Sequence, residues 1–381
     1  MTNYKLGMEW AGVKRQSDPL LVSIILLILG VGLVTLYSAS YAYAQRAFND
    51  SSYFIRRQLI FLIPGFGLFL ITSRINLELL RKYIMPIVLG TLILCVLPLI
   101  PGIGIVKNGA NRWINLGQFS FQPSELAKIV LPLYLAHMFD KKQDRLHESL
   151  GTTVPLTIMV LLFFGVVYLQ NNFSTASFLF FNAMVIFFLA GVRFRYFFIL
   201  ALVAVPFAAY MIVSKEHRLS RLINFLQPEW DPLGAGYQVR ASIITIMSGG
   251  FWGRGIGQGQ RKIASVPEIQ SDFIFSSFAE ELGFIGVSLF FMVIVIFMIR
   301  SFWIASRGNT IFVRLLLFGI ATMLVSQIML NVGVVAGVFP ATGVPLPFFS
   351  AGGSSLAMML AATGFMVNGS RNIVKMEGAH V

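Results

Sequence analysis

Long apolar runs separated by short polar segments organise this chain. Ten runs stand out, at roughly 19–40, 54–73, 83–101, 123–139, 153–170, 173–190, 195–214, 278–299, 312–337 and 353–370. Each is close to the ~17–25 residues that an α-helix needs to cross a bilayer. The runs are too long for strands and apolar on every side, so the expected fold is all-α. The expectation is a polytopic membrane protein with about ten transmembrane helices, in a single domain over residues 1–381. The first run follows Lys14 and Arg15 and precedes Ser38-Ala39-Ser40, as in a signal peptide. However, Leu20–Leu36 exceeds the ~7–15-residue core of such peptides and reads as a retained helix. Only Gln170-Asn171-Asn172 separates the fifth run from the sixth, which implies a tight outer hairpin or a broken helix, and the polar junction favours two short spans over one very long one.

Composition agrees. The chain is 56% hydrophobic and 12% charged, against about 25% charged in ordinary soluble domains. The net charge of +13 would suggest nucleic acid in a soluble protein. Here the basic residues fall in short loops between runs, where they act as a topology signal, and nucleic-acid binding is set aside. With the amino terminus placed in the cytoplasm, the short inside segments hold sixteen Lys and Arg and the short outside segments five. Both termini are then inside. Two longer outside segments remain, 102–122 and a large loop at 215–277. Within the second, Pro228-Glu229-Trp230-Asp231-Pro232 reads as a turn and Tyr237 to Gly250 as a short amphipathic helix at the membrane surface. One cysteine, Cys95, and four scattered histidines offer no disulfide within the chain and no zinc spacing.

The chemistry-bearing stretch is Ser265 to Gly286, which holds Glu268, Asp272, Glu280 and Glu281. Asp272 stands where a polar segment meets an apolar one, a setting that suits a general base. The plain alternative is a carboxylate that caps the next helix. Glu125 and Lys128 lie three apart at the start of the fourth run, on one helix face, where they can pair. Charges at that depth face a cavity or a partner, and a purely structural ion pair is the competing reading. Arg56 and Arg57 open the second run against the charge rule, either snorkelling or contacting an anion. The stretch Gly253 to Lys262, with Arg254, Arg261 and Lys262, could present backbone N–H groups and charge to a pyrophosphate; otherwise it is a flexible turn. Gly343 to Ser355 breaks helical pattern with paired prolines and glycines, and reads as a re-entrant, cavity-lining loop on the outer side, with a plain turn between the ninth and tenth runs as the competing reading.

Four segments carry a resemblance: GANRWINLGQFSFQPSELAK, GYQVRASIITIMSGGFWGRGIGQGQRK, QSDFIFSSFAEELGFIG and FPATGVPLPFFSAGGSS. Together and in order they resemble the SEDS family of bacterial membrane proteins, which includes FtsW, RodA and SpoVE. The resemblance implies a multi-pass protein of the bacterial cytoplasmic (inner) membrane that polymerises lipid II into glycan strands on the outer face. It implies a class B penicillin-binding transpeptidase as partner, together with other division or elongation membrane proteins. By the same resemblance Asp272 is the catalytic base, and Arg57, Glu125, Lys128 and Glu268 fall on family positions that bind substrate. Arg254, Arg261 and Lys262 join them as candidates for the pyrophosphate. The family's QPDxGTA signature looks like Gln170 to Ala176 here, with Asn172 in place of its aspartate. An amide can hydrogen-bond but cannot serve as a base. The GRGIGQGQRK run looks more like the division-type branch than the elongation-type one. A divalent cation such as magnesium or manganese is an open expectation, since no dedicated site is visible. The competing functions are a lipid II flippase, which would gather polar groups at the bilayer midplane, and a scaffold, which would leave Asp272 replaceable.

Overall fold

The computed structural model describes residues 17–107, 109–117, 119–145, 149–227, 235–259 and 269–377. The ten apolar runs all form helices. These are α1 (Pro19–Phe48), α2 (Tyr53–Arg74), α4 (Ile84–Val96), α5 (Pro123–Lys141), α6 (Val154–Leu169), α7 (Phe173–Leu189), α8 (Phe194–Val213), α11 (Ile274–Ser306), α12 (Ile311–Val335) and α13 (Gly353–Glu377). Among the described residues, six of them are long and apolar enough to cross a membrane by length and composition alone. The short helices α3 (Leu77–Lys82), α9 (Glu216–Leu226) and α10 (Ala235–Gly249) complete the set. The tight hairpin at Gln170-Asn171-Asn172 is present, with Asn171 in the left-handed region at φ 57°.

Three features depart from the sequence reading. The 102–122 segment contains a small antiparallel sheet in the order β1 (Gly104–Lys107), β2 (Ala110–Leu116), β3 (Phe119–Phe121), so the all-α bundle carries a β cap. Its strands are short and sit between Gly102, Gly109 and Gly117, all with positive φ, too brief for a period of two to be visible. Helix α9 precedes the surface helix expected at Tyr237–Gly250, and α10 packs on α11 rather than lying alone. Helix α1 runs on to Phe48 and α11 begins at Ile274, because helix need not end where apolar sequence does.

The core runs along α5 and α12, whose residues are buried on nearly every side. Helix α13 packs along α2 at very close range. A Cβ on Gly65 would lie 2.8 Å from Leu360, and one on Gly364 would lie 2.0 Å from the Thr72 hydroxyl. Small residues let the two backbones meet, and Thr72 Oγ1 then donates across the interface to Ala361 O at 2.9 Å. On the face remote from Asp272, buried Asp18 caps α1 by accepting from Leu21 N at 2.9 Å and pairs with Arg300 of α11. Helix α8 is the exception to tight packing, since Met211 is its one buried residue among those described.

Helix α11 kinks at Gly283 (φ 62°, ψ −164°). The kink frees the carbonyls of Glu280 and Glu281, and the loop after α10 takes them up. Arg254 N and Gly255 N donate to them at 3.0 Å each. Phe284 N donates to Gly250 O at 2.9 Å in return. A Cβ on Gly253 would lie 2.3 Å from Glu281 O, so the glycine-rich run is required first for this close backbone approach.

Candidate active site

Asp272 lies half-buried in the turn that leads into α11, and three successive backbone carbonyls hold that turn. Ala351 N donates to Gln270 O at 2.8 Å, Ser350 Oγ to Ser271 O at 2.7 Å, and Asn331 Nδ2 to Asp272 O at 2.8 Å. The first two donors come from the irregular segment between α12 and α13. The side chain of Asp272 faces Gly343 of the same segment, where a Cβ would sit 3.2 Å from Oδ2. The segment expected to line a cavity is thus the bed on which Asp272 rests.

Among the described residues, the β cap and α9 bring arginines under the field of Asp272. Asp272 attracts Arg112 of β2 and Arg221 of α9, while these two guanidiniums and Arg218 repel one another. Burial, reinforced by the two other arginines and opposed by Asp272, pushes Arg112 down to about 10. It also lowers Arg221 from its ordinary value. Both remain cationic at neutral pH. A cavity of about 570 Å³ opens among Arg112, Lys215, His217, Arg218 and Arg221, and among the described residues no carboxylate lines it. Arg112 is fixed by its Nη2 bond to Asn171 O at 2.6 Å. Arg218, 8% exposed, donates to the Tyr168 hydroxyl at 3.2 Å and lies over the rings of Tyr168 and Phe173. A water-accessible cavity with such a set of donors favours a multiply charged anion, with bidentate guanidinium bonds to phosphate oxygens.

None of these arginines was a candidate on sequence alone. A signal existed: in HRLSRLINFL, Arg218 and Arg221 stand three apart on one face of a short amphipathic helix. The residues named from sequence are distributed otherwise. Glu125 and Lys128 are each 1% exposed and paired at 2.7 Å. Lys128 Nζ also donates to Gln327 Oε1 at 3.1 Å, and Ser355 Oγ donates to Glu125 Oε2 at 3.0 Å. Gln327 in turn donates to Pro345 O at 2.9 Å. The pair therefore braces α5, α12, α13 and the irregular segment, one layer beneath Asp272. Arg57 donates to the Tyr53 hydroxyl at 2.8 Å and is not among the residues lining the cationic cavity. Its neighbour Gln58 reaches Ser350 O at 3.1 Å. Arg254 is held against Ser248 O at 3.0 Å and stands 3.9 Å from Glu280, at the α11 kink. Glu268, Arg261 and Lys262 lie outside the described residues. Asn172 is buried at the start of α7 with its Nδ2 unpartnered. Among the described residues no group of three His, Cys, Asp or Glu is placed to hold a metal ion.

The fold and this site define a polytopic helical membrane protein that gathers a carboxylate and a cationic cavity on one face. The chain belongs to the FtsW/RodA/SpoVE family: the sequence model of that family, described as "Cell cycle protein", matches residues 19–374. It is 40% identical over 351 residues to the "Probable peptidoglycan glycosyltransferase FtsW" of Trichlorobacter lovleyi, covering 92% of each chain. It is 37% identical over 360 residues to stage V sporulation protein E of Bacillus subtilis, covering 94% of this chain and 98% of that one. Among the solved structures that are similar are two with nearly full coverage. One is described as "Structural coordination of polymerization and crosslinking by a peptidoglycan synthase complex", with TM-score 0.78, 29% identity and coverage of 94% and 98%. The other is the rod shape determining protein RodA of Thermus thermophilus, with TM-score 0.68, 27% identity and coverage of 96% and 99%.

Proposed function

We propose that this chain is a peptidoglycan glycosyltransferase that polymerises lipid II on the outer face of the bacterial cytoplasmic membrane, with Asp272 as general base. The relatives named as peptidoglycan glycosyltransferases, matched over nearly their whole length, support the activity. The observation that carries the assignment to this site is geometric: Asp272 Oδ2 faces Gly343, and the preceding Ala341 and Thr342 line the cavity of Arg112, Arg218 and Arg221. In the reaction, the 4-hydroxyl of the acceptor sugar loses its proton to Asp272 as its oxygen bonds to the anomeric carbon of the donor. The bond from that carbon to the pyrophosphate breaks, and the configuration inverts. Negative charge grows on the leaving pyrophosphate, where fixed guanidiniums stabilise it more than water would. Arg112, Arg218 and Arg221 take that role, and the buried Glu125–Lys128 pair acts by positioning. Arg57 and Arg254 are not among the residues that line the cationic cavity and are given no step here, while Arg261, Lys262 and Glu268, outside the described residues, stay proposed substrate contacts from the resemblance alone. The similarity to a complex described as coordinating polymerization and crosslinking supports a crosslinking partner, a class B penicillin-binding transpeptidase.

The test is polymerisation of purified lipid II by the chain with its transpeptidase partner, native against Asp272→Asn. Strands from the native protein and none from the folded variant are expected. Strands from both would remove Asp272 from the chemistry. Strands from neither, with the complex intact, would favour translocation or scaffolding.

A further inference from the structure

A second cavity adjoins the cationic one and differs from it in kind. It is a groove of about 470 Å³ between α7 and α12, lined by Ser177, Phe178, Phe181, Ser326, Met329 and Leu330. Phe173, Ser174 and Thr342 line both spaces, so the groove continues directly from the cavity of Arg112, Arg218 and Arg221. Its walls reach the surface of the bundle: Phe181 is 49% exposed and Met329 37%. Ser177 and Ser326 are small and leave room between the larger side chains, and Ser326 turns its hydroxyl to the backbone oxygen of Thr322 in its own helix. The interior is therefore apolar. The loosely packed α8, exposed along most of its length, adds no residue between Phe194 and Tyr210 to the groove lining. At the junction, Thr342 Oγ1 is buried with no hydrogen-bond partner.

We propose that this groove seats the polyprenyl tail of a lipid-linked sugar pyrophosphate whose head lies in the cationic cavity. The proposal rests on the glycosyltransferase reading and adds where the lipid enters. The argument is one of complementarity along a single path. The cavity's cations, with no carboxylate among the described residues that line it, take a pyrophosphate, the Thr342 hydroxyl offers a donor where head becomes tail, and an apolar slot open to the bilayer takes the prenyl chain. A prenyl chain anchored at the head gains little from leaving one apolar phase for another, but a groove that fits it fixes the approach angle of the pyrophosphate. The groove lies between two of the better-packed helices, so its shape is present before the lipid arrives.

The experiment fills the groove. The chain is purified into nanodiscs with its partner, and KM is measured for full-length lipid II and for an analogue with a short prenyl tail. Ser177→Trp and Ser326→Trp place an indole in the slot, and Leu202→Trp, on the exposed face of α8, is the control. KM for full-length lipid II should rise about tenfold in the two groove variants, the loss of about 1.4 kcal/mol of binding. The short-tailed analogue and the control should be unchanged. Equal effects on both substrates, or none on either, would overturn the groove. If the native protein makes no strands, the glycosyltransferase reading fails on its own. The groove is then judged by photocrosslinking a lipid II that carries a tail diazirine. Labels on α7 and α12 uphold it, and labels confined to other helices overturn it.

Discussion

The side-chain amide of Asn331 donates to two backbone oxygens at once, Asp272 O at 2.8 Å and Val344 O at 2.9 Å. One residue of α12 thus fixes the turn that bears the carboxylate and the irregular segment beneath it. Asn331→Ala leaves two carbonyls without a donor, at about 1–3 kcal/mol each when buried. Strand synthesis should fall at least tenfold, through kcat rather than KM, since no substrate contact is removed. Asn331→Asp should be no better, because an ionised carboxylate cannot donate. A kcat equal to native in either variant would show that the turn holds Asp272 without Asn331.

The Glu125–Lys128 pair is buried and multiply hydrogen-bonded. Lys128→Met strands a buried carboxylate and should cost about 3–5 kcal/mol of stability. Glu125→Gln combined with Lys128→Met removes both charges and should regain most of that loss. Thermal unfolding in detergent separates the two. If the double variant recovers stability but not activity, the pair acts on the site and not only on the fold.

The cavity arginines should act on binding. Arg218→Ala or Arg112→Ala removes a charge-assisted contact of about 1.5–3 kcal/mol. Lipid II affinity should drop roughly ten- to a hundredfold. The native affinity should weaken with added salt, and the variants should show a shallower dependence. Fluorescence titration in nanodiscs reads both.

Burial lowers the imidazole of His217, and Arg218, Arg221, Lys215 and Arg112 lower it further. The unbound protein thus holds His217 neutral at neutral pH and resists charging it. As the pH falls through that lowered value the free fold loses a little stability, whereas a bound pyrophosphate gains a cation. Lipid II affinity should therefore tighten as the pH falls toward that lowered value. His217→Ala should flatten the part of the profile that differs from native. Identical profiles would exclude His217 from the anion site.

Gly283 holds the α11 kink at positive φ, and a Cβ there would lie 2.2 Å from Gly253 N. Gly283→Ala must move the loop after α10 away from Glu280 and Glu281. It should cost on the order of 1–3 kcal/mol in backbone strain alone. Loss of activity should exceed that of Gly67→Ala, a helical glycine with open space around its Cβ position. Equal behaviour of the two variants would mean that the kink is dispensable.

The sequence by itself determined the class of the protein and most of its helices. Apolar runs near twenty residues leave no alternative to helices in a bilayer, since every backbone group must be satisfied within its own segment. Asp272, the Glu125–Lys128 pairing and the irregular 343–355 segment were legible because a charge or a helix-breaker in an apolar setting is conspicuous. Tertiary structure alone decided how these parts combine. Arg112 and Arg221 are far apart in the chain, and neither looks unusual among loop cations until β2 and α9 fold toward Asp272. Conversely, Glu125 and Lys128 read as substrate contacts until α12 and α13 close over them and Gln327 and Ser355 satisfy their charges. Periodicity and composition report local solvent preference, whereas which distant side chains share one space depends on how the helices pack.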